Sequence, residues 1–350
     1  MRRNFIFMFL LISSIIANIM ALYSDEIKKE KLVLSKTFPE ERVYFKSGPN
    51  IAVDEAGNIY AVDNREHMVF KFSPDGKLLG EFGGQGQGPG ELQFPYCLSI
   101  SKNLRLILVQ DNIGISFFSE DGLFIKRFRV FSPVYYVCAG ANRIYLLQPR
   151  EDKLIHEYDY NGKWLKSFGR KYKIDYSIYI DIPPIQVDRF INEGAILSNG
   201  NFIYFISYLL GDIFMFNLEG EDIGVNPLTG LEGKQKNEKI IYKEGLERNS
   251  DGSITTPIRV VQAASSTGND LFLFVSGYAI YGEVGPGRYS EIWKLSSGNL
   301  SVIAKYILPQ LKIYDFCVLP NQKEDIFYVS FLDEKKEEFL IGLLKKEAFK

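Results

Sequence analysis

The sequence predicts an all-β fold, a six-bladed β-propeller of four-stranded blades whose ring is closed by an N-terminal strand. Two observations lead to this prediction. The chain of 350 residues is rich in aromatic residues and glycine, with 27 phenylalanines, 21 tyrosines and 30 glycines, a composition typical of strands joined by tight turns. A hairpin pattern also recurs along the chain at the spacing of propeller blades. With 46% hydrophobic residues, the chain can bury the ordered core that such a fold requires.

The recurring hairpin is defined by three positions. A β-branched residue is followed three places later by a large apolar residue, and four places after that by a glycine. The glycine closes a two-residue turn, where the backbone needs the positive φ that glycine adopts at little cost. The pattern occurs at Val69–Gly76, Ile115–Gly122, Ile155–Gly162 and Ile213–Gly220, and in shortened form at Ile292–Gly298.

A second hairpin precedes each of these, most clearly at residues 51–63, and the chain therefore divides into six units of about four short strands. The turn glycines Gly76, Gly122 and Gly162 are 46 and 40 residues apart, which matches the period of roughly 40–50 residues in propeller blades. The predicted blades span residues 43–82, 94–128, 134–168, 188–224, 257–304 and 313–345.

The last of these units lacks an outer strand. The strand-like segment 32–38 lies before the first blade, and we expect it to pair with the last blade and close the ring, because closure protects the sheet edges. Residues 23–350 are therefore predicted to form a single propeller domain. Two separate β domains, which the chain length alone suggests, are the alternative.

The first 22 residues have the pattern of an export signal. A basic start at Arg2 and Arg3 precedes a largely apolar stretch over residues 5–22, with the small residue Ala21 before the polar chain begins. The stretch nearly reaches the roughly 20 residues that span a bilayer, so an uncleaved membrane anchor is the alternative to a cleaved signal peptide. Either interpretation predicts a secreted or periplasmic domain that meets a membrane only through this segment.

The charge and the reactive residues argue against several functions. The formal net charge is −2, and nothing in the sequence indicates a nucleic-acid surface. The two histidines, His67 and His156, are too few and too far apart in sequence for a histidine-built zinc site. Cys97, Cys138 and Cys317 lie within apolar runs, so we expect buried free thiols.

Residues 49–128 resemble the NHL repeat and the exported bacterial six-bladed propellers built on it. Later units keep the spacing but lose most of the signature. The resemblance implies the propeller fold, but it implies no single activity, since such propellers include binding scaffolds, lyases and lactone-type hydrolases. The matching segments are Gly57–Asp63, Val69–Phe72, Asp75–Leu79 and Phe82–Leu92.

Acidic and amide side chains recur where the second strand of a blade ends. Asp63, Asn64 and Arg65 stand there in the first blade, and Asp111 and Asn112 hold the matching place in the second. Carboxylate and amide oxygens suit a divalent cation such as calcium, and the resemblance to lactonase-like propellers implies a metal at the channel mouth. Asp63 and Asp111 are therefore the candidate metal ligands. The alternative is that these side chains only cap turns.

Further ligand-binding candidates lie in and near the connections between blades. Arg150 ends the matching strand of the third blade, where the Asp-Asn pair does not recur. The insertion 171–187 carries Tyr172 and Tyr176, and tyrosine and arginine dominate binding hot spots. A second, polar insertion spans residues 226–257. Both connect blades, so we expect both on one face; ordinary surface loops are the alternative.

Two functions follow from these observations. The first is an exported, non-catalytic binding propeller that recognises a glycan, peptide or protein on its loop face and needs no cofactor. The second is a metal-dependent hydrolase of the lactonase or esterase kind, with an acidic metal site at the channel mouth. The sequence favours the first because it shows no nucleophile constellation and few histidines.

Overall fold

The chain folds as an all-β protein with a propeller-like arrangement of sheets. The computed structural model describes residues 27–39, 43–130, 134–179, 182–231, 233–245, 257–279, 290–320 and 324–347. The export signal or anchor predicted for residues 1–22 lies outside this part of the chain. Within it, every helix is too short or too polar to cross a membrane.

The strands follow one another as successive antiparallel hairpins, numbered here in chain order. They are β1 (Lys28–Phe38), β2 (Asn50–Val53), β3 (Ile59–Asp63), β4 (Met68–Phe72), β5 (Leu78–Gly83), β6 (Cys97–Ser101), β7 (Leu106–Gln110), β8 (Gly114–Ser119), β9 (Phe124–Arg129), β10 (Tyr136–Ala139), β11 (Ile144–Arg150), β12 (Lys153–Tyr158), β13 (Trp164–Arg170), β14 (Gly194–Ser198), β15 (Phe202–Ser207), β16 (Asp212–Asn217), β17 (Asp222–Pro227), β18 (Ile258–Ser266), β19 (Asp270–Ala279), β20 (Glu291–Ser296), β21 (Val302–Ile307), β22 (Lys312–Leu319), β23 (Ile326–Asp333) and β24 (Glu338–Lys346).

Short helices occupy two connections between sheets. A 3₁₀ turn (Tyr176–Ile178) and helix α1 (Pro184–Ile191) precede β14, while helix α2 (Lys234–Lys239) and a π turn (Ile240–Glu244) follow β17. Residues 188–191, which the sequence analysis placed in the fourth blade, therefore belong to α1. Proline at the first helical position favours this start, because its fixed φ suits the helix and its missing N–H would be unpaired there anyway.

Sixteen of the strands form four separate sheets, and the remaining eight form one larger sheet. The four sheets are β2–β5, β6–β9, β10–β13 and β14–β17, each in chain order. The larger sheet has the order β18-β19-β20-β21-β1-β24-β23-β22. Residues 28–31 of β1 pair in parallel with β21, and residues 32–38 pair antiparallel with β24. Strand β1 thus joins the outer edges of two groups of strands.

Six strands surround one central cavity. Strands β2, β6, β10, β14, β18 and β22 each contact the next in this order, and β22 contacts β2. Residues of all six line a cavity of about 510 Å³. The size lies within the range of pockets that hold small molecules.

The hairpin order gives the molecule two different ends. In each four-stranded sheet, the chain enters from the preceding strands at the end where the first strand begins. The turn between the second and third strands lies at that same end. We call this end the loop face and the opposite end, where the first and second strands turn, the turn face. On the loop face the Gln93 amide donates a 2.8 Å hydrogen bond to Asp111, which ties a connection to the β7–β8 turn.

Phenylalanine rings from neighbouring strands pack directly against the turn glycines of the repeat. Gly122 has a φ of +81°, and a Cβ atom there would lie only 2.6 Å from the ring of Phe82 on β5. The glycine is therefore required both by the turn and by this close approach. The same arrangement recurs in the pairs Gly76 with Phe38, Gly162 with Phe128 and Gly220 with Phe168.

Apolar side chains of adjacent sheets pack together to form the core. Tyr60 and Val69 of the first sheet form one cluster with Ile107 and Phe118 of the second. The predicted burial of the cysteines is confirmed, since Cys97, Cys138 and Cys317 are all buried free thiols. Burial raises the pKa of Cys97 and of Cys138 to about 12, which keeps both thiols protonated and unreactive.

Candidate functional site

Asp63 ends β3 and is fully buried at the loop face. Its carboxylate accepts hydrogen bonds from the backbone amides of Lys46 (2.5 Å) and Arg65 (2.9 Å) and from the Ser47 hydroxyl (2.6 Å). These bonds hold the incoming connection against the β3–β4 turn. Asp63 therefore has the contacts of a turn cap, and both of its oxygens are engaged.

Asp111 occupies the matching place after β7 and has similar partners. Its carboxylate accepts hydrogen bonds from the amides of Gln93 (2.8 Å), Ile113 (2.9 Å) and Gly114 (3.0 Å). In the part of the chain that the structure describes, no three His, Cys, Asp or Glu side chains are grouped so that they could hold a metal ion. A cation at Asp63 and Asp111 remains a prediction.

The other predicted residues of these turns also lie on the loop face. The Asn64 side chain donates a 3.2 Å hydrogen bond to the carbonyl of Pro95 and so braces the next connection. Asn112, Arg65 and Arg150 are exposed. These three side chains are available to a ligand, although no contact gathers them into one group.

The two predicted tyrosines of the first insertion have different roles. The Tyr172 hydroxyl donates to Asp212 (3.1 Å), and its ring packs edge-on against Phe214 at 5.6 Å. Burial, together with the Asp212 charge, raises the pKa of Tyr172 well above its usual value. Tyr176 is exposed, and its hydroxyl donates to Asp188 at 2.5 Å. Tyr172 is thus part of the support for the insertion, while Tyr176 faces solvent.

The two insertions pack together against the β15–β16 turn and form a small core with it. The Tyr179 hydroxyl of the first insertion donates a 2.7 Å hydrogen bond to the carbonyl of Ile241 in the second. This packing fixes the position of α1 on the loop face. The buried members of the cluster are Tyr179, Val187, Ile191, Leu209, Leu210 and Ile241.

Helix α1 presents an arginine over a tyrosine beside the inner strands. The guanidinium of Arg189 lies 5.7 Å from the centre of the Tyr135 ring. The charge of the same arginine also acts on Tyr96. The Tyr96 hydroxyl donates a hydrogen bond to the carbonyl of Val134 (2.6 Å) and accepts one from Gln110 (2.5 Å). We call Tyr96, Tyr135 and Arg189 the Arg189 patch.

Among the described residues, the acidic side chains around the Arg189 patch pair with other cations. Asp188 pairs with Lys171 at 2.7 Å, and Glu193 pairs with Arg259 through both of its carboxylate oxygens. Arg189 is exposed and makes no salt bridge or side-chain hydrogen bond within the described residues. The patch therefore carries one positive charge, above a tyrosine ring whose face attracts cations.

Sequence reasoning missed the three residues of the patch. Tyr96 and Tyr135 each stand directly before an inner strand, which is the position where a connection reaches the axis. That position is visible in the sequence once the first strand of each unit is placed. The contribution of Arg189 depends on α1, which the sequence analysis divided between the insertion 171–187 and the fourth blade.

Comparisons with known proteins support the fold. No family model and no curated protein matches the sequence. Among solved structures, a member of the DUF4221 family from Bacteroides vulgatus is similar over 93% of this chain and 100% of its own, with a TM-score of 0.60 and 11% identity. A protein described as exported, from Bacteroides fragilis, is similar over 92% and 99%, with a TM-score of 0.55 and 12% identity.

The WD40 repeats of RRP9 also superpose on this chain. They cover 90% of it and 98% of their own length, with a TM-score of 0.51 and 10% identity. At identities this low, the likeness shows a shared propeller-like fold and nothing about activity or ligand. The NHL family, which the first two units resemble, is not shown by these comparisons.

Proposed function

We propose that the chain is a six-bladed propeller in which β1 completes the last blade, after β22, β23 and β24. Two observations support this count. Six inner strands surround the cavity in a closed order. Phe38 of β1 also packs on Gly76 in the same way as Phe82 of β5 packs on Gly122, so β1 stands where a fourth strand stands in the other blades. The parallel pairing of residues 28–31 with β21 then joins two blades into the eight-stranded sheet.

We propose further that this is an exported binding propeller whose ligand is a glycan, peptide or protein held on the loop face. The observation that carries the proposal is the guanidinium of Arg189 above Tyr135, which has no salt-bridge partner among the residues that the structure describes. Arginine and tyrosine supply much of the binding energy at protein interfaces. The packed insertion core keeps α1 in place, so little ordering free energy is lost when a ligand arrives. Export is proposed from the apolar N-terminal sequence.

The chemistry of the Arg189 patch favours a ligand that carries a carboxylate. A guanidinium binds a carboxylate through two parallel hydrogen bonds, and the exposed ring of Tyr96 offers a surface for the rest of the ligand. An acidic glycan or an acidic peptide segment combines both features.

Binding arrays test this proposal. The purified domain is applied to an array of acidic and neutral glycans and to an array of acidic and neutral peptides, and hits are measured by titration calorimetry. We expect acidic ligands to bind and Arg189→Ala to weaken binding at least about tenfold. The matched control is Arg129→Ala, at an exposed arginine that ends the outer strand β9, which we expect to change affinity less than about twofold.

The outcomes separate the parts of the proposal. Equal loss in both variants would show that general charge, rather than the Arg189 patch, attracts the ligand. Binding that Arg189→Ala leaves intact would move the site elsewhere on the loop face. If neither array yields a ligand, recognition of glycans and peptides on this face is ruled out.

A further inference from the structure

Apolar residues and a smaller number of polar and charged residues line the central cavity. Asp54, Glu55 and Lys102 line it at the turn face, and Asp315 lines its inner end. It reaches the turn face, where residues of the first turns line it, and it extends inward as far as Asp315 and Tyr136. Residues of the inner strands, including Ile51, Leu98 and Phe316, line its inner part. A small molecule that enters from the turn face would reach Asp315 without meeting the Arg189 patch.

Asp315 belongs to a set of side chains that accept hydrogen bonds from backbone amides of the neighbouring inner strand. Its Oδ2 accepts hydrogen bonds from the Ile51 amide (2.8 Å) and from the Asn50 side chain (2.5 Å). At the next junction Asn50 accepts from the Leu98 amide at 3.0 Å. Further round, the Ser99 hydroxyl accepts from the Ala139 amide at 2.9 Å.

Two of these three junctions are capped by neutral side chains. A neutral acceptor therefore suffices to satisfy an inner-strand amide, and an ionisable cap brings a desolvation cost that the neutral caps avoid. Both hydrogen bonds that Asp315 accepts from β2 end on Oδ2, and neither ends on Oδ1. Asp315 makes no salt bridge among the residues that the structure describes. The amide cap alone does not account for an acid at this position.

The groups around Asp315 are neutral at physiological pH. Tyr136 and Tyr208 approach Asp315 from other strands and connections. Burial raises the pKa of each tyrosine far above the usual tyrosine value, and the charge of Asp315 adds to this shift. The buried thiols of Cys97 and Cys317 respond to the same charge and also stay protonated. The guanidinium of Arg259 lies 5.3 Å from the centre of the Tyr208 ring and pairs with Glu193, so these two charges compensate each other. Lys312 is an exposed residue of the strand that carries Asp315, and Asp54, Glu55 and Lys102 line the cavity at the turn face.

We propose that the inner end of the cavity binds a small organic cation, a molecule with a protonated amine and a compact apolar body. The ammonium group would bind the Asp315 carboxylate, and the body would fill the apolar part of the cavity. This site is separate from the loop-face site proposed above and does not depend on it. The cavity volume of about 510 Å³ suits a molecule of this size.

The site has a distinctive pH dependence. Burial raises the pKa of Asp315 to about 7, although the Ile51 and Phe316 amides and the Asn50 side chain favour the ionised form. An aliphatic amine is protonated throughout this range. Binding therefore requires Asp315 to lose its proton, and the affinity should be about tenfold higher at pH 8 than at pH 6, with a proton released as the amine binds.

Titration calorimetry with matched pairs of probes tests the site. Phenethylamine and putrescine are compared with their neutral counterparts phenylethanol and butanediol, at pH 6 and pH 8 and in two buffers of different ionisation enthalpy. We expect the amines to bind at least about tenfold more tightly than the neutral probes. The buffer comparison reports the released proton directly.

Two variants complete the test. Asp315→Asn keeps an oxygen that can accept from the Ile51 amide, so the cap survives while the charge is lost, and circular dichroism verifies the fold. We expect this variant to bind the amines at least about tenfold more weakly and without proton release. Glu55→Gln, at the mouth of the same cavity, is the matched control and should change affinity less than about twofold.

Three results would overturn the proposal. These are a failure of both amines to bind, equal binding of the neutral probes, and unchanged amine binding by Asp315→Asn. Because none of these measurements involves Arg189, their failure leaves the loop-face proposal untouched.

Discussion

The variant Asp315→Asn measures how much an ionisable side chain near the axis lowers the free energy of unfolding. The folded carboxyl has a pKa of about 7, against 3.8 for a free aspartate, because burial disfavours its charge. The folded state therefore binds the proton more tightly than the unfolded chain does. The resulting stabilisation is fully present below the unfolded pKa and is lost as the pH rises through the folded pKa. This direction is opposite to that of an aspartate in a salt bridge.

The size of the effect follows from the difference in pKa. About 3 pKa units, at about 1.4 kcal/mol each, correspond to about 4 kcal/mol over the whole range. About 3 kcal/mol of this falls between pH 5 and pH 8, because the unfolded carboxyl is already mostly ionised at pH 5. Asp315→Asn has no such contribution. The variant should therefore gain about 3 kcal/mol relative to the wild type as the pH rises from 5 to 8.

Urea unfolding followed by circular dichroism at several pH values provides the assay. The quantity of interest is the difference in unfolding free energy between variant and wild type, because other titrating groups cancel in it. Glu55→Gln, which changes an exposed acid of the same cavity, is measured in the same way as the matched control. A flat difference for Asp315→Asn, or one that favours the wild type at high pH, would refute the reasoning.

Two further substitutions test how the repeat holds neighbouring strands together. Gly122→Ala should destabilise the fold by about 2–4 kcal/mol through backbone strain and a clash with Phe82, whereas Gly200→Ala, at a similar φ with open space around it, should cost only about 1 kcal/mol. Phe38→Ala should cost about 3–5 kcal/mol, since the ring is 1% exposed; Leu34→Ala on the exposed side of the same strand should cost less than about 1 kcal/mol. Urea unfolding measures both pairs, and equal losses within either pair would contradict the packing described here.

The sequence was sufficient to predict the repeated part of the fold, because its signals are local. The turn glycines adopt positive φ, for example +84° at Gly76 and +81° at Gly122, and a hairpin follows from a few neighbouring residues. The antiparallel pairing of residues 32–38 with β24 was expected from a missing outer strand, which is also a property of the repeat. The parallel pairing of residues 28–31 with β21 was not foreseen, since no local pattern distinguishes one distant edge from another.

The candidate site could be predicted less well, because it depends on tertiary contacts. The sequence shows that Tyr172 and Tyr176 lie in an insertion, but the hydrogen bond from Tyr172 to Asp212 appears only when two connections meet. The position of Arg189 over Tyr135 likewise requires α1 to be placed against the preceding sheet, β10–β13. Residue type and position in the repeat identify the loop face, whereas the side chains that share a patch are decided by folding.

The two assays on Asp315→Asn together distinguish a structural acid from a functional one. An acid kept only as an amide cap should be replaceable by asparagine with a gain in stability and no other loss, because Asn50 and Ser99 show that neutral caps serve the equivalent amides. An acid kept for binding should show the same gain in stability together with the loss of amine affinity, the trade-off typical of functional sites. Stability alone cannot separate these cases. If Asp315→Asn is more stable than the wild type at pH 8 and no longer binds the amines, the stability lost at Asp315 is explained by ligand recognition.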